Sequence, residues 1–212
     1  MALSLQIKNL SKSFEDQVIF QNLNFNFDLG QLYSLTGPSG KGKTTFLNCL
    51  AGLDKDYGGE IFLNEKLLDH KSRSRLFLPN LGFMFQDLAL WPHKTIHENL
   101  ILRSKILGND HKKIFYLADH YLERFNLQAF KKHYPNQISG GQKQRIAFIR
   151  SVIHEPKILL LDEPSSSLDK ENKQIMADIL NQSESKQRIA LVVSHDQEFL
   201  SMLGQGLIGF CW

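Results

Sequence analysis

Apolar and polar residues alternate through the first third of the chain, the period of strands half buried against a core. Ser4 to Leu10 alternates at Leu5 and Ile7, Val18 to Phe20 is short and β-prone, and Leu23, Phe25, Phe27 and Leu29 occupy every second position. Leu32 to Thr36 is a brief apolar run that stops at a glycine-rich loop. Thr44 to Leu53 follows with Phe46, Leu47, Leu50 and Ala51 at helical spacing. Glu60 to Leu63 and Leu81 to Gln86 predict further strands. Between residues 88 and 155 the period becomes helical: Ile114, Leu117, Ala118, Tyr121, Leu122 and Phe125 form one stripe, and Ser139 to Ile153 a second block. Lys157 to Asp162 and Ile189 to Val193 are unbroken apolar runs, as expected for strands buried on both faces of a parallel sheet. Asn172 to Leu180 predicts a helix between them, and Leu207 to Phe210 a last strand. The pattern predicts an α/β core interrupted by a helical insertion and preceded by a β-rich flap.

Composition narrows the function classes. At 42% hydrophobic and 22% charged residues, a chain of 212 residues has material for a sizeable core, which excludes a disordered or fibrous protein. A net charge of +3 is weak for a nucleic-acid binder, and no nucleic-acid partner is expected. Cys49 and Cys211 lie far apart, which argues against a disulfide scaffold and for a reducing compartment. No apolar run approaches the roughly 18–20 residues that span a bilayer, and the first ten residues lack the form of a signal peptide. The eight histidines do not cluster at metal-ligand spacing.

Three short motifs carry the chemistry. Gly37-Pro38-Ser39-Gly40-Lys41-Gly42-Lys43-Thr44, followed by Thr45, fits the phosphate-binding pattern G-x-x-x-x-G-K-[ST], between a predicted strand and a predicted helix as that motif requires. Its glycines let backbone N–H groups form an anion nest, to which the helix adds its positive dipole end. Lys43 can reach the β- and γ-phosphates, and the Thr44 hydroxyl can ligate Mg²⁺. Asp162 and Glu163 close the buried run 158–161. An Asp there is placed to hold Mg²⁺, and Glu163 to polarise an attacking water, which favours a hydrolase over a kinase. The plain alternative is an acidic pair capping the next helix near Pro164. Ser139-Gly140-Gly141-Gln142 opens the second helical block with a good N-cap and two glycines, a second anion site at a helix N-terminus. The two anion sites face one nucleotide within a monomer or across a dimer.

With these residues in view, the chain resembles the nucleotide-binding subunit of an ATP-binding cassette (ABC) transporter, importer-like, from about residue 3 to residue 199. Gly37–Thr44 resembles the Walker A motif, Ile158–Glu163 Walker B, and Ser139–Gln142 the family signature, with Ile138 where Leu is usual. Gln86 is similar to the Q-loop glutamine, Ser165–Asp169 to the D-loop, and His195 to the switch histidine. Phe14 falls where the family places a Tyr that stacks on adenine. The resemblance implies a P-loop NTPase core of mainly parallel sheet with helices on both sides (31–57, 67–87 and 155–212). It also implies an antiparallel β subdomain (1–30 and 58–66) and an inserted helical subdomain (88–154). It implies an ATPase with ATP and Mg²⁺: Lys43 and the loop amides on the phosphates, Thr44, Asp162 and Gln86 serving the metal, Glu163 as general base and His195 on the γ-phosphate. In a head-to-tail dimer, Ser139 and Gly141 would touch ATP held by the partner, with Gly140, Gln142 and Asp169 beside them.

The same resemblance implies integral-membrane permease subunits, a second copy of the chain or a homologous ATPase, and a solute-binding protein acting through the permease. The expected location is peripheral, on the cytoplasmic face of the inner or plasma membrane. Leu88 to His93 with Thr95 and Ile96 lie where the family receives a permease helix. Trp91 there is either an exposed anchor or a buried aromatic of the insertion. Tyr134-Pro135-Asn136-Gln137 resembles importers. An exporter ATPase, or a soluble ABC ATPase acting in translation or on DNA, is the competing reading. The single cassette, the absence of heptads and the balanced charge weigh against the soluble class. Ending at Trp212, the sequence leaves no room for the regulatory domain many importer ATPases carry.

Overall fold

The computed structural model describes residues 3–15, 17–69, 78–107, 110–182, 187–204 and 207–211, with backbone alone for 78, 105–107 and 207–211. Met1, Ala2, Trp212 and the stretch 70–77 of the expected core lie outside the described residues. Two sheets organise the chain. The first is antiparallel: β1 (Ser4–Phe14) and β2 (Gln17–Asp28) form a long hairpin, and β4 (Gly58–Leu63) and β5 (Lys66–Leu67) extend it in the order β2-β1-β4-β5. The hairpin explains why the sequence reads as two strands between residues 18 and 29. Apolar parity changes between Phe20 and Leu23, where Asn22 adopts a left-handed φ of 53° and the β1–β2 register slips between Leu10 and Lys12. A bulge inserts one residue and keeps both halves facing the core.

The second sheet is parallel throughout, in the order β6-β7-β8-β3-β9, with β3 at Leu32–Thr36, β6 at Leu81–Met84, β7 at Ile158–Asp162, β8 at Ile189–Val193 and β9 at Leu207–Cys211. The unbroken apolar runs are divided between its two faces. Leu159, Leu161, Ala190 and Val192 enter one core with the helices of the insertion. Ile158, Leu160, Ile189, Leu191 and Val193 enter the other with Phe27, Phe46 and Leu47. β6 ends at Met84, short of the expected Gln86, so Phe85 and Gln86 leave the sheet.

Neighbouring strands β6 and β7 enclose the helical insertion. It contains α2 (Ile96–Leu107), α3 (His111–Arg124) and α4 (Gly140–Val152). The first helix, α1 (Lys43–Ala51), stops before the expected Leu53. Gly52 takes a left-handed φ of 75° and its amide caps the helix on Asn48 and Cys49. α5 (Lys170–Asn181) starts two residues before the expected Asn172, because Asp169 caps it by accepting from the Asn172 amide. α6 (Gln197–Met202) is capped by Asp196.

Gly82 is the tightest joint between β6 and α4. A β-carbon there would overlap the Ser151 carbonyl and lie 2.7 Å from Pro156 Cγ. Gly82→Ala is therefore expected to lower stability by about 1–3 kcal/mol, the usual cost of overpacking, read as a fall in the urea midpoint.

Candidate functional site

β3 runs up the parallel sheet between β8 and β9 and delivers its C-terminal end to the phosphate loop. Gly40 (φ 76°) and Gly42 (φ 87°) hold left-handed conformations there, and a β-carbon on Gly42 would strike the Ile19 side chain. Gly42 is also the N-cap of α1 and offers no side-chain cap, so the first amides of the helix are left to a ligand. Lys43 is buried and folds back along the loop, donating to the carbonyls of Gly37 (2.7 Å) and Pro38 (2.8 Å). An incoming phosphate would meet an ammonium already held in the loop.

β7 and β8 deliver the acidic groups. Asp162, at the end of β7, is 2% exposed, and neither of its oxygens has a hydrogen-bond partner among the described residues. Burial pushes its carboxyl above the usual range, against the opposing Thr44 hydroxyl and Lys43 charge. Buried carboxylate oxygens without partners are costly in a finished structure. Facing the Thr44 hydroxyl and the Gln86 amide, they form an oxygen donor set that suits Mg²⁺. Glu163 turns away from the strand at a left-handed φ of 49°, its amide donating to the Val193 carbonyl. Its Oε2 accepts from the His195 amide at 3.3 Å, and its Oε1 lies 3.6 Å from His195 Nε2. Burial also raises Glu163, opposed chiefly by the His195 amide. Ser39, Gly40, Gly42, Lys43, Thr44, Thr45, Gln86, Asp162, Glu163 and His195 line one cavity of about 470 Å³.

The remaining expected residues lie elsewhere. Ser139 caps α4 in a reciprocal box: its hydroxyl accepts from the Gln142 amide, and the Gln142 side-chain oxygen accepts from the Ser139 amide. A β-carbon on Gly140 would meet nothing within 4 Å, while one on Gly141 would lie 3.1 Å from the Ser167 carbonyl. Asp169 is held below the ordinary carboxylate range by the Asn172 amide and side chain. Neither this group nor Phe14 is among the walls of the cavity. Phe14 stands half exposed at the tip of the first hairpin. Trp91 is 58% exposed, which decides between its two readings in favour of an accessible side chain. It lines an apolar groove of about 590 Å³ with Phe83, Phe85, Leu90 and Pro92.

A family model described as ABC transporter matches residues 20–166. The chain is 40% identical over 199 residues to a lipoprotein-releasing system ATP-binding protein LolD of Treponema denticola, covering 92% of this chain and 88% of that one. It is 36% identical over 194 residues to an Fe(3+) ions import ATP-binding protein FbpC of Escherichia coli O157:H7, covering 91% and 55%. It is 37% identical over 200 residues to a spermidine/putrescine import ATP-binding protein PotA of Chromobacterium violaceum, covering 93% and 54%. The chain thus spans about half the length of these import relatives. The dimeric structure of MJ0796, described as a bacterial ABC transporter cassette, superposes with a TM-score of 0.85 at 29% identity, over 98% of this chain and 94% of that one. A second dimer of MJ0796, bound to ADP and Pi after hydrolysis, superposes with the same TM-score of 0.85 at 29% identity, over 97% and 94%.

Three positioning residues were not visible in the sequence. Asn99, 1% exposed, accepts from the Trp91 amide and donates to the carbonyls of Trp91, Lys94 and Thr95, which fixes the loop beside the groove. Arg150, at the far end of α4 from Ser139, donates to the carbonyls of Leu88 (2.7 Å) and Ala89 (2.6 Å), both in left-handed conformations. Burial lowers its guanidinium to about 10, against the charge of Asp87. Gln144, 3% exposed, donates to the carbonyls of Glu163 and Pro164 and to the Ser166 hydroxyl, and accepts from the Ser167 amide. Gln144→Leu removes the partner of the buried Pro164 carbonyl and of the Ser167 amide and is expected to cost about 1–3 kcal/mol in denaturant unfolding.

Proposed function

This chain belongs to the ABC transporter family, and from that membership we propose that it binds and hydrolyses ATP to energise a membrane transporter, an importer of a small solute. The observation that carries the proposal is the convergence on one cavity of the phosphate loop, the unpartnered carboxylate of Asp162, and Glu163 beside His195. A buried acid raised by its surroundings and placed across from a phosphate site has the properties of a general base for water.

In this mechanism the loop amides and Lys43 take the phosphates, Lys43 exchanging the carbonyls of Gly37 and Pro38 for phosphate oxygens. Thr44, Gln86 and Asp162 would hold Mg²⁺, which when bound supplies Lewis-acid neutralisation of phosphate charge. Glu163 accepts a proton from the water that attacks the γ-phosphate. His195, hydrogen-bonded through its amide to that carboxylate, keeps Glu163 aimed and meets the γ-phosphate oxygens. Phe14 stacks on adenine. Ser139 and Gly141 serve ATP held by a second copy, with Gln142 and Asp169 shaping that face. The dimeric structures of MJ0796 support assembly as a dimer. ATP closes the dimer and hydrolysis releases it, a shift in population driven by differential affinity.

The groove beside Trp91 is the proposed seat for a permease segment, with Trp91 as its anchor. The transporter ATP-binding relatives support attachment through a permease, peripheral and on the cytoplasmic face; no helix among the described residues is long and apolar enough to cross a membrane. A solute-binding protein would act through that permease. The same reading divides the chain into a β subdomain, a nucleotide-binding core and a helical subdomain, which the two separate sheets and the enclosed helices support. One observation favours a second reading. The lipoprotein-releasing relative is 40% identical to this chain against 36% for the iron importer, which suits the ATPase of a releasing system. Copurification from detergent-solubilised host membranes separates the two by the identity of the permease, and recovery with no membrane protein would sink both.

Glu163→Gln is expected to bind ATP, to dimerise on it in size-exclusion chromatography, and to lose at least about a hundredfold in turnover. Lys43→Ala is expected to lose measurable ATP affinity by calorimetry. Because burial raises Glu163, the acidic limb of the kcat profile is expected above the ordinary glutamate range: the base protonates, and turnover falls, at a higher pH than for an exposed carboxylate.

A further inference from the structure

Lys12 is 3% exposed, on the strand that ends in Phe14. Its ammonium lies 3.1 Å from each carboxylate oxygen of Asp54 and 3.2 Å from Asp56 Oδ2, and donates to the Asp56 carbonyl. The remaining side of the ammonium is covered by the Phe14 ring, whose centroid is 4.6 Å away. Burying an ammonium is costly unless it is paired. Here burial alone would lower its proton affinity, and the two carboxylates outweigh that and raise it. The cation is therefore a fixed charge.

Its partners are informative. Asp54 and Asp56 belong to the segment that leaves α1, the helix that opens with the phosphate loop. Phe14 belongs to the antiparallel hairpin, whose Ile19 is a wall of the nucleotide cavity. One ammonium thus ties the hairpin to the chain behind the phosphate loop and holds the ring by its face. A Phe ring has no hydroxyl to fix its orientation by a hydrogen bond, and at 50% exposure it has little packing to do so. A cation against one face supplies that orientation and leaves ring surface free.

We infer that Lys12 is a positioning residue for base recognition, holding the Phe14 ring so that a nucleobase stacks on its free surface. This rests on the reading of Phe14 as the base platform. An adenine would complete a layered stack of ammonium, ring and base. Pre-ordering the ring spares the ligand the entropy of fixing it. The triphosphate, bound by the loop amides and Lys43, gains nothing from this arrangement.

The test compares MgATP with magnesium tripolyphosphate, which has the phosphates and no base. The full chain is titrated by calorimetry as wild type, Lys12→Met, Lys12→Arg, Phe14→Ala and the Lys12→Met/Phe14→Ala double variant. Lys12→Met is expected to weaken MgATP about three- to tenfold and tripolyphosphate less than twofold, in keeping with a partly desolvated cation–ring contact. Phe14→Ala should do the same, the double variant should be no worse than either single one, and Lys12→Arg should keep most of the ATP preference. Equal weakening of both ligands by Lys12→Met would reduce Lys12 to an anchor for the segment after α1 and overturn the inference. So would an unchanged ATP preference in Lys12→Met where Phe14→Ala loses it, while the stacking reading stood. An unchanged preference in Phe14→Ala would remove the stacking reading itself, and the inference with it. If Lys12→Met does not fold, Asp54→Asn, which loosens the ammonium without removing it, carries the same comparison.

Discussion

The structure depends on the parallel alignment of β3, β7 and β8. Parallel strands carry their C-terminal ends to one edge, and in an open α/β sheet that edge is where ligands bind. Here the three central strands end in the phosphate loop, in Asp162 with Glu163, and in Ser194 with His195. No other feature of the sequence brings residues near 40, 162 and 195 together. The arrangement requires both faces of the sheet to be covered, and the alternating assignment of Leu159 and Leu161 to one core and Ile158 and Leu160 to the other meets that requirement. With the strands held from both sides, a carboxylate can be kept buried and unpartnered at their ends. That is an unfavourable state, tolerated where a cation is to arrive.

Much of this was legible in the sequence because the relevant signals are local. Unbroken apolar runs, a glycine loop between strand and helix, and a Ser followed by two glycines each report on a few consecutive residues. The fold class and the strands that frame the cavity follow from them, whereas the expectation that His195 joins the phosphate loop, Asp162 and Glu163, which line one cavity with it, came from the family resemblance and from no local signal. What escaped was non-local. The slip at Asn22 breaks the alternation that period counting relies on, so one strand reads as two. Gln144, Arg150 and Asn99 look like ordinary polar residues of helices. Their importance lies in carbonyls that are 20, 62 and 8 residues away, which no periodicity reveals.

These hidden side chains share a logic. α4 begins at Ser139, the face proposed to meet a partner's nucleotide, and carries Gln144 on the segment leaving Glu163 and Arg150 on the segment leaving Gln86. Gly141 permits a close approach there, since a β-carbon would lie 3.1 Å from the Ser167 carbonyl. One helix is thus fastened by directional hydrogen bonds to the loop behind the proposed base Glu163 and to the loop beside the apolar groove. Both fastened loops contain left-handed non-glycine residues, Glu163 in one and Leu88 and Ala89 in the other. Such conformations cost of order 1–3 kcal/mol each and persist only where surrounding contacts hold them.

That cost bears on how the groove and the cavity are connected. A loop in a relaxed conformation, held by nothing, would absorb a displacement at the groove without passing it on. A loop held in a costly conformation by the Arg150 guanidinium is tied there to α4, so a displacement at Leu88 or Ala89 bears on that helix. Gln86 lies two residues before Leu88 and is itself a wall of the phosphate-loop cavity, and Ala89 is a wall of the groove, so the same loop borders both. Energy can pass between two sites only through an element whose equilibrium both of them bias. In this chain the segment that borders both is 86–89, where Leu88 and Ala89 hold left-handed conformations and their carbonyls accept from Arg150.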